Sequence, residues 1–131
     1  MKVLVTGGSG QLGYDILREL EKRNIDYIAP SRDELDLMDT EGIAACIEAA
    51  SADCVIHCAA YTAVDNAESD RQSCRLINAE ATGKIARACR KIGASMVYFS
   101  TDYVFDGKGE RFFETDDETK PLNYYGKTKY E

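Results

Sequence analysis

Glycines at positions 7, 10 and 13 follow directly on the apolar run Val3-Leu4-Val5 and open a stretch where Leu12, Ile16, Leu17 and Leu20 recur at helical spacing. An apolar run, a glycine turn and an amphipathic helix in that order form a strand-turn-helix unit. Glycines there let the first amides of the helix come close to a ligand, and the positive end of the helix favours an anion. The loop Gly7, Ser9, Gly10, Gln11, Leu12 and Gly13 is therefore the expected cradle for the pyrophosphate of a dinucleotide. The same glycines would also serve a tight strand-helix packing with no ligand. A phosphate loop of the G-x-x-x-x-G-K-[ST] kind is excluded at Gly126-Lys127-Thr128, because Pro121 stands where its first glycine would be.

The alternation continues along the chain. Residues 25–29 read as a second strand and residues 35–37 as a short third one, and Thr40 is placed to cap a helix bearing Ile43, Ala44 and Ile47. Cys54-Val55-Ile56-His57-Cys58 reads as a fourth strand. A long helix is predicted from about residue 71 to 91, with Ile77, Ala81, Ile85 and Cys89 on one face and Gly93 ending it. Met96-Val97-Tyr98-Phe99 is the fifth strand. Residues 101–123 form a long loop, acidic over Glu110 to Glu118, before a helix starting near Tyr124. Apolar strands separated by helices indicate a parallel sheet covered on both faces. The expected fold is α/β, a Rossmann-type doubly wound parallel sheet with strand order 3-2-1-4-5.

Composition narrows the partners. The chain carries 16 Lys and Arg against 23 Asp and Glu, a net charge of −7 at pH 7. Its basic residues are scattered, so neither nucleic acid nor a membrane surface is an expected partner. With 44% apolar residues it is not a disordered chain, yet no apolar run approaches the ~20 residues of a membrane span. Five cysteines without a C-x-x-C pair, a single histidine and no Asn-x-Ser/Thr acceptor point to a cytoplasmic location and no metal site.

In open parallel sheets ligands bind beyond the C-terminal strand ends. Past the second strand, Pro30-Ser31-Arg32-Asp33 offers both signs of charge. Arg32 is placed to fork onto the 2′-phosphate of NADP, whereas Asp33 would accept from the 2′-hydroxyl of NAD or cap the next turn. Arg32 stands nearer the strand end, so NADPH is expected over NADH. Asp36 and Leu37 either flank the adenine or are a turn carboxylate beside a buried leucine. Thr101 follows the fifth strand, and Tyr125 has Lys129 four residues later, on the same helix face. A nearby ammonium favours the phenolate and lowers its pKa from ~10, which makes a usable acid near neutrality. The hydroxyl of Thr101 either holds a substrate oxygen or caps a turn.

Four segments carry a resemblance: Val5-Thr6-Gly7-Gly8-Ser9-Gly10-Gln11-Leu12-Gly13, Ala59-Ala60-Tyr61-Thr62-Ala63-Val64-Asp65, Ser100-Thr101-Asp102-Tyr103-Val104-Phe105-Asp106-Gly107, and Pro121-Leu122-Asn123-Tyr124-Tyr125-Gly126-Lys127-Thr128-Lys129. Together they resemble the extended short-chain dehydrogenase/reductase superfamily, in particular its dTDP-4-dehydrorhamnose reductase branch. The resemblance implies reduction of a nucleotide-linked 4-keto-6-deoxy sugar by NAD(P)H, in nucleotide-sugar biosynthesis. Thr101, Tyr125 and Lys129 match its catalytic set, the last two also lying at the cofactor. Ala59, Ala60 and Tyr61 match the segment beside the cofactor ribose. Thr62, Val64 and Tyr103 match positions lining the sugar site, and Asn78 matches a helix Asn with a structural or relay role. His57 is expected as a strand-end residue beside the cofactor, with no chemistry of its own.

Relatives continue past the Tyr-x-x-x-Lys helix into a C-terminal domain that holds most of the nucleotide. Residues 1–131 are thus expected to be the cofactor-binding domain, inactive alone, with residues 124–131 frayed or altered for want of packing partners. A nucleotide sugar is the expected partner, and a homodimer of the full-length form stays open. Two rival readings are a non-catalytic dinucleotide-binding regulatory subunit and a sugar-nucleotide epimerase or dehydratase. Intact Thr101, Tyr125 and Lys129 favour an enzyme over the first. Tyr103 stands after Asp102 where a dehydratase would offer Glu, which speaks against the second.

Overall fold

In the computed structural model, which describes residues 1–131, the run before the glycine turn is an inner strand, β1 (Lys2–Thr6), of a four-stranded sheet. Its neighbours are β2 (Asp26–Ile28) and β3 (Cys54–His57), and β4 (Ser95–Tyr98) pairs with β3, giving the order β2-β1-β3-β4. All pairings are parallel, with Leu4 opposite Val55, Thr6 opposite His57 and His57 opposite Tyr98.

Alternation along the strands sorts the core into two layers. Val3 and Val5 pack with Leu20, Ile16 and Leu17 of α1 (Gln11–Lys22) on one face. Leu4 and Val55 pack on the other, against Ile43 and Ile47 of α2 (Gly42–Ala50) and Ile85, Ala88 and Cys89 of the helix before β4. Leu4, Val5, Ile43, Ile47, Val55 and Ile85 are fully buried, so truncating any of the larger ones to Ala would cost about 2–5 kcal/mol. Helices on both faces of a parallel sheet make the doubly wound arrangement expected from the sequence.

Two local expectations are corrected. Residues 35–37 form no strand, which removes the outermost member of the expected order 3-2-1-4-5 and leaves the other four in the expected sequence. Side chains and turns take up the backbone there: Asp36 accepts from the Met38 N–H, Glu34 from the Ser31 N–H, and Leu35 N–H donates back to the Ser31 carbonyl. Leu35 and Leu37 are buried all the same, so their apolar spacing reports burial and not a ladder. Thr40 does not cap α2, which starts after Glu41; its hydroxyl accepts instead from the Lys84 ammonium at 2.9 Å.

The predicted long helix is continuous but not uniform: α3 (Arg71–Arg75), a π-helical turn (Leu76–Ala81) and α4 (Thr82–Ile92) follow without a break. Such widened turns recur at functional sites. The expected fraying of the last residues is also corrected. Helix α5 (Tyr124–Tyr130) is formed, with Gly126, Thr128 and Lys129 buried. Two side chains satisfy its first amides, Asn123 accepting from the Gly126 N–H and Glu68, far off in sequence, from the Tyr124 N–H. No helix is long and apolar enough to cross a membrane.

Candidate active site

Parallel strands bring all their C-terminal ends to one edge of the sheet, and there a cleft of about 1280 Å³ opens. Every residue expected at the cofactor lines it: Gly7, Ser9, Gly10, Gln11, Leu12 and Gly13 after β1, Arg32, Asp36 and Leu37 after β2, Ala59, Ala60 and Tyr61 after β3, and Tyr125 and Lys129 from α5. Of the residues expected at the sugar only Thr62 is in the lining; Thr101, Val64 and Tyr103 are not. Thr101 nevertheless lies at the Tyr125 phenol, and Tyr103 meets the Tyr125 ring edge-on with centroids 5.9 Å apart.

The glycine turn is shaped by close approach. Gly7 has φ +69°, and a Cβ there would come within 2.7 Å of the Ala59 nitrogen, while a Cβ on Gly13 would overlap the Gly7 carbonyl oxygen. The turn can therefore bring the start of α1 close to the end of β1. Gly10 caps α1 without a side chain, and its first turn holds no acidic residue. Its leading amides present a positive helix end to the cleft, as a pyrophosphate requires.

Beyond β2, Arg32 lines the cleft and Asp33 does not. Arg32 and Lys129 are its only Lys or Arg side chains, and Arg32 is exposed. Glu34 is engaged by the Ser31 N–H and hydroxyl at 2.8 and 2.9 Å, which holds its carboxyl below the ordinary range. Asp36 lines the cleft while its carboxylate closes the turn to Met38, beside buried Leu37.

Asn78, in the π-helical turn, joins the segments around the cleft. Its Oδ1 accepts from the Tyr61 N–H at 2.8 Å, and its Nδ2 donates to the Tyr61 carbonyl and to the Thr128 hydroxyl, both at 3.1 Å. The loop after β3, the helix before β4 and α5 are thereby locked at one buried amide, 2% exposed.

Tyr125 and Lys129 share the cleft, but their electrostatics differ from expectation. Burial pushes the Tyr125 phenol above its ordinary value, with a hydrogen bond to Thr101 acting the other way; Lys129 is no cause of the shift. The Lys129 ammonium instead lies over the Tyr98 ring, 4.1 Å from its centroid. Burial brings Lys129 down to about 8, so it is largely protonated at neutral pH, and Tyr125 stays a phenol. Together they can donate a proton from the phenol and present a cation beside it. Of the two roles the sequence left open for Thr101, the structure shows the turn cap, its hydroxyl accepting from the Tyr103 N–H beside the Tyr125 phenol. Gly126 lets α5 sit against that turn, since a Cβ would overlap the Tyr103 carbonyl oxygen.

Several lining residues escaped the sequence reading. Phe99 and Ser100 stand just past the end of β4, where the strand-end rule alone would have named them, while His57 lines the cleft as the strand-end residue beside the cofactor that the sequence made it. Asp70, Ser73 and Ile77 line the cleft from α3 and the π-helical turn, at spacings of three and four along one helix face. His57 is buried and hydrogen-bonded at both ring nitrogens, Nδ1 to Thr6 at 2.6 Å and Nε2 to Thr82 at 3.1 Å. Burial, and then the Lys129 charge, pull its pKa down to about 4.

Comparison with known proteins agrees with this geometry. The family model for the RmlD substrate binding domain matches residues 1–131. A dTDP-4-dehydrorhamnose reductase of Burkholderia thailandensis is 46% identical over 98% of the chain, which covers 43% of that protein. Among solved structures, a dTDP-4-dehydrorhamnose reductase from Clostridium acetobutylicum superposes with a TM-score of 0.94 at 38% identity, over 99% of this chain and 46% of that one. The Bacillus anthracis dTDP-4-dehydrorhamnose reductase in complex with NADP gives 0.93 at 36% identity, over 98% and 46%. The chain thus spans less than half the length of these relatives.

Proposed function

Because the chain belongs to the RmlD substrate binding domain family, we propose that it forms the cofactor-binding and proton-donating part of an NAD(P)H-dependent reductase of a nucleotide-linked 4-keto-6-deoxy sugar. One observation carries this reading: the bare N-terminus of α1 and the Tyr125 phenol with the Lys129 cation open onto a single cleft. The printed activity of the relatives, and the NADP bound by one of them, support it.

The residues fit a dinucleotide. The amides of the Gly7 to Gly13 loop would hold its pyrophosphate, Arg32 the adenosine 2′-phosphate, Asp36 and Leu37 the adenine, and Ala59, Ala60 and Tyr61 the ribose on the far side. When bound, the nicotinamide supplies the hydride. Tyr125 donates the proton to the ketone oxygen, Thr101 holds that oxygen and the phenol in line, and Lys129 offsets the negative charge left on Tyr125. A raised phenol pKa suits a donor that must stay protonated until charge develops on the substrate oxygen. Thr62, Val64 and Tyr103 are proposed sugar contacts. The nucleotide of the substrate is proposed to be held by elements corresponding to the rest of the relatives' length, and the five free thiols accord with a cytoplasmic setting.

Calorimetric titration of this chain with NADPH and NADH tests the cofactor half. Saturable binding of NADPH, tighter than NADH, is expected, and no binding of either would reject the reading. Turnover of a dTDP-linked 4-keto-6-deoxy sugar by the protein extended to the length of its relatives tests the reaction, and its absence would remove the reductase assignment.

A further inference from the structure

Thr6, His57 and Tyr98 are register partners across β1, β3 and β4, so their side chains lie in a row on one face of the sheet at its C-terminal edge. The row is fixed from one end. Thr6 accepts from the Ala59 N–H at 3.2 Å and is bonded to His57, and Thr82 holds the other imidazole nitrogen. His57 then stacks on Tyr98 with centroids 6.1 Å apart and planes 20° from parallel. The Lys129 ammonium completes the row, 4.1 Å from the Tyr98 centroid.

We propose that Tyr98 is a positioning residue whose ring face holds the Lys129 ammonium in place at the edge of the cleft. The proposal rests on the reading that Lys129 works in that cleft, and it assigns a role to a residue outside the lining. Lys129 is 7% exposed, and burial alone acts on its titration, with no carboxylate offsetting it. The groups facing the cation are aromatic or neutral: Tyr98 from β4 and His57 from β3. A cation over an aromatic face is attracted by the ring quadrupole, and more so where water is excluded. The Tyr98 hydroxyl reaches only to 3.5 Å from the Lys129 carbonyl oxygen, the outer limit of a hydrogen bond, so the ring and not the hydroxyl is the active feature. His57, held at both nitrogens, is the stacked neighbour of the ring.

The test follows the Lys129 protonation midpoint through its ¹³Cε shift in lysine-labelled protein, the resonance being assigned by its loss in Lys129→Met. Position 98 is varied as Tyr, Phe and Phe with increasing ring fluorination, a series that keeps the shape while draining negative charge from the face. Amide spectra report that each variant is folded. Tyr98→Phe should leave the midpoint close to wild type. The heavily fluorinated ring should lower it by about 0.5–1 unit, a shift of the size a partly desolvated cation-ring contact gives. A midpoint that stays constant along the series, or one that falls as far with Phe as with the fluorinated rings, would overturn the proposal. No cofactor enters this measurement, so its failure would leave the cofactor reading standing, and failed NADPH binding by wild type would leave the titration result unaffected.

Discussion

Asn78 is paired with the backbone of Tyr61 at both ends of its amide, Oδ1 with the N–H at 2.8 Å and Nδ2 with the carbonyl at 3.1 Å. A side chain here substitutes for a strand neighbour, satisfying a loop that has left the sheet. Asn78→Leu has nearly the same size but would leave the Tyr61 N–H and carbonyl without partners and remove one of the bonds to the Thr128 hydroxyl, which keeps its bond to the Tyr125 carbonyl. Unpaired buried groups cost ~1–3 kcal/mol each, and partial hydration of the loop should hold the total to roughly 2–4 kcal/mol. Urea unfolding of the variant should show a lowered midpoint with an unchanged slope; an unchanged midpoint would mean that the loop finds other partners.

Burial of His57 couples stability to pH. Its folded pKa, pulled down to about 4, lies below the ordinary 6.5, so between those values the unfolded chain binds more protons than the folded one. Stability therefore rises with pH across that window and is lost as pH falls from 6.5 towards 4, by roughly 3 kcal/mol at most. His57→Gln should show a flatter dependence of unfolding free energy on pH over this range. Equal slopes would assign the acid sensitivity to other groups.

Arg32 should act on cofactor choice and little else. It is exposed in the cleft where the 2′ position of the adenosine is proposed to lie. A charge-assisted contact to phosphate contributes ~1.5–3 kcal/mol, so Arg32→Ala should weaken NADPH binding roughly 10- to 150-fold and leave NADH nearly unaffected. Titration of both cofactors against both proteins decides it. Equal weakening would make Arg32 a support of the loop and end the preference for NADPH.

Tyr125→Phe removes the proposed proton donor while preserving the ring that packs edge-on against Tyr103. In the proposed reductase, turnover should fall by about 10²–10⁴, the usual contribution of a general acid, with cofactor affinity nearly intact. Steady-state rates together with cofactor titration separate the two effects. Undiminished turnover would exclude Tyr125 from the chemistry.

The glycine loop, the strand-end positions and the Tyr125 and Lys129 pair were legible in the sequence because each depends on local rules. A turn followed by a helix needs no distant partner to fix which amides are free. Residues 35–37 were misread because apolar alternation marks burial and says nothing about which backbone groups pair; Asp36 and Glu34 took those groups for turns. Thr40 likewise had the right chemistry for a cap, yet Lys84, remote in sequence, reached it first.

The order of apolar runs, glycines and helical periodicities determined by itself that this chain is a doubly wound parallel sheet with its candidate site at the C-terminal edge, since strand and helix periods and steric limits are properties of short segments. The tertiary structure alone decided what each side chain at that edge faces. Lys129 was expected to act on Tyr125, four residues away on its own helix, but register between β3 and β4 sets the Tyr98 ring beneath its ammonium. Burial then raises the phenol, lowers the ammonium and keeps His57 neutral. Protonation follows the local dielectric and the nearest charges, and those exist only once distant segments have packed together.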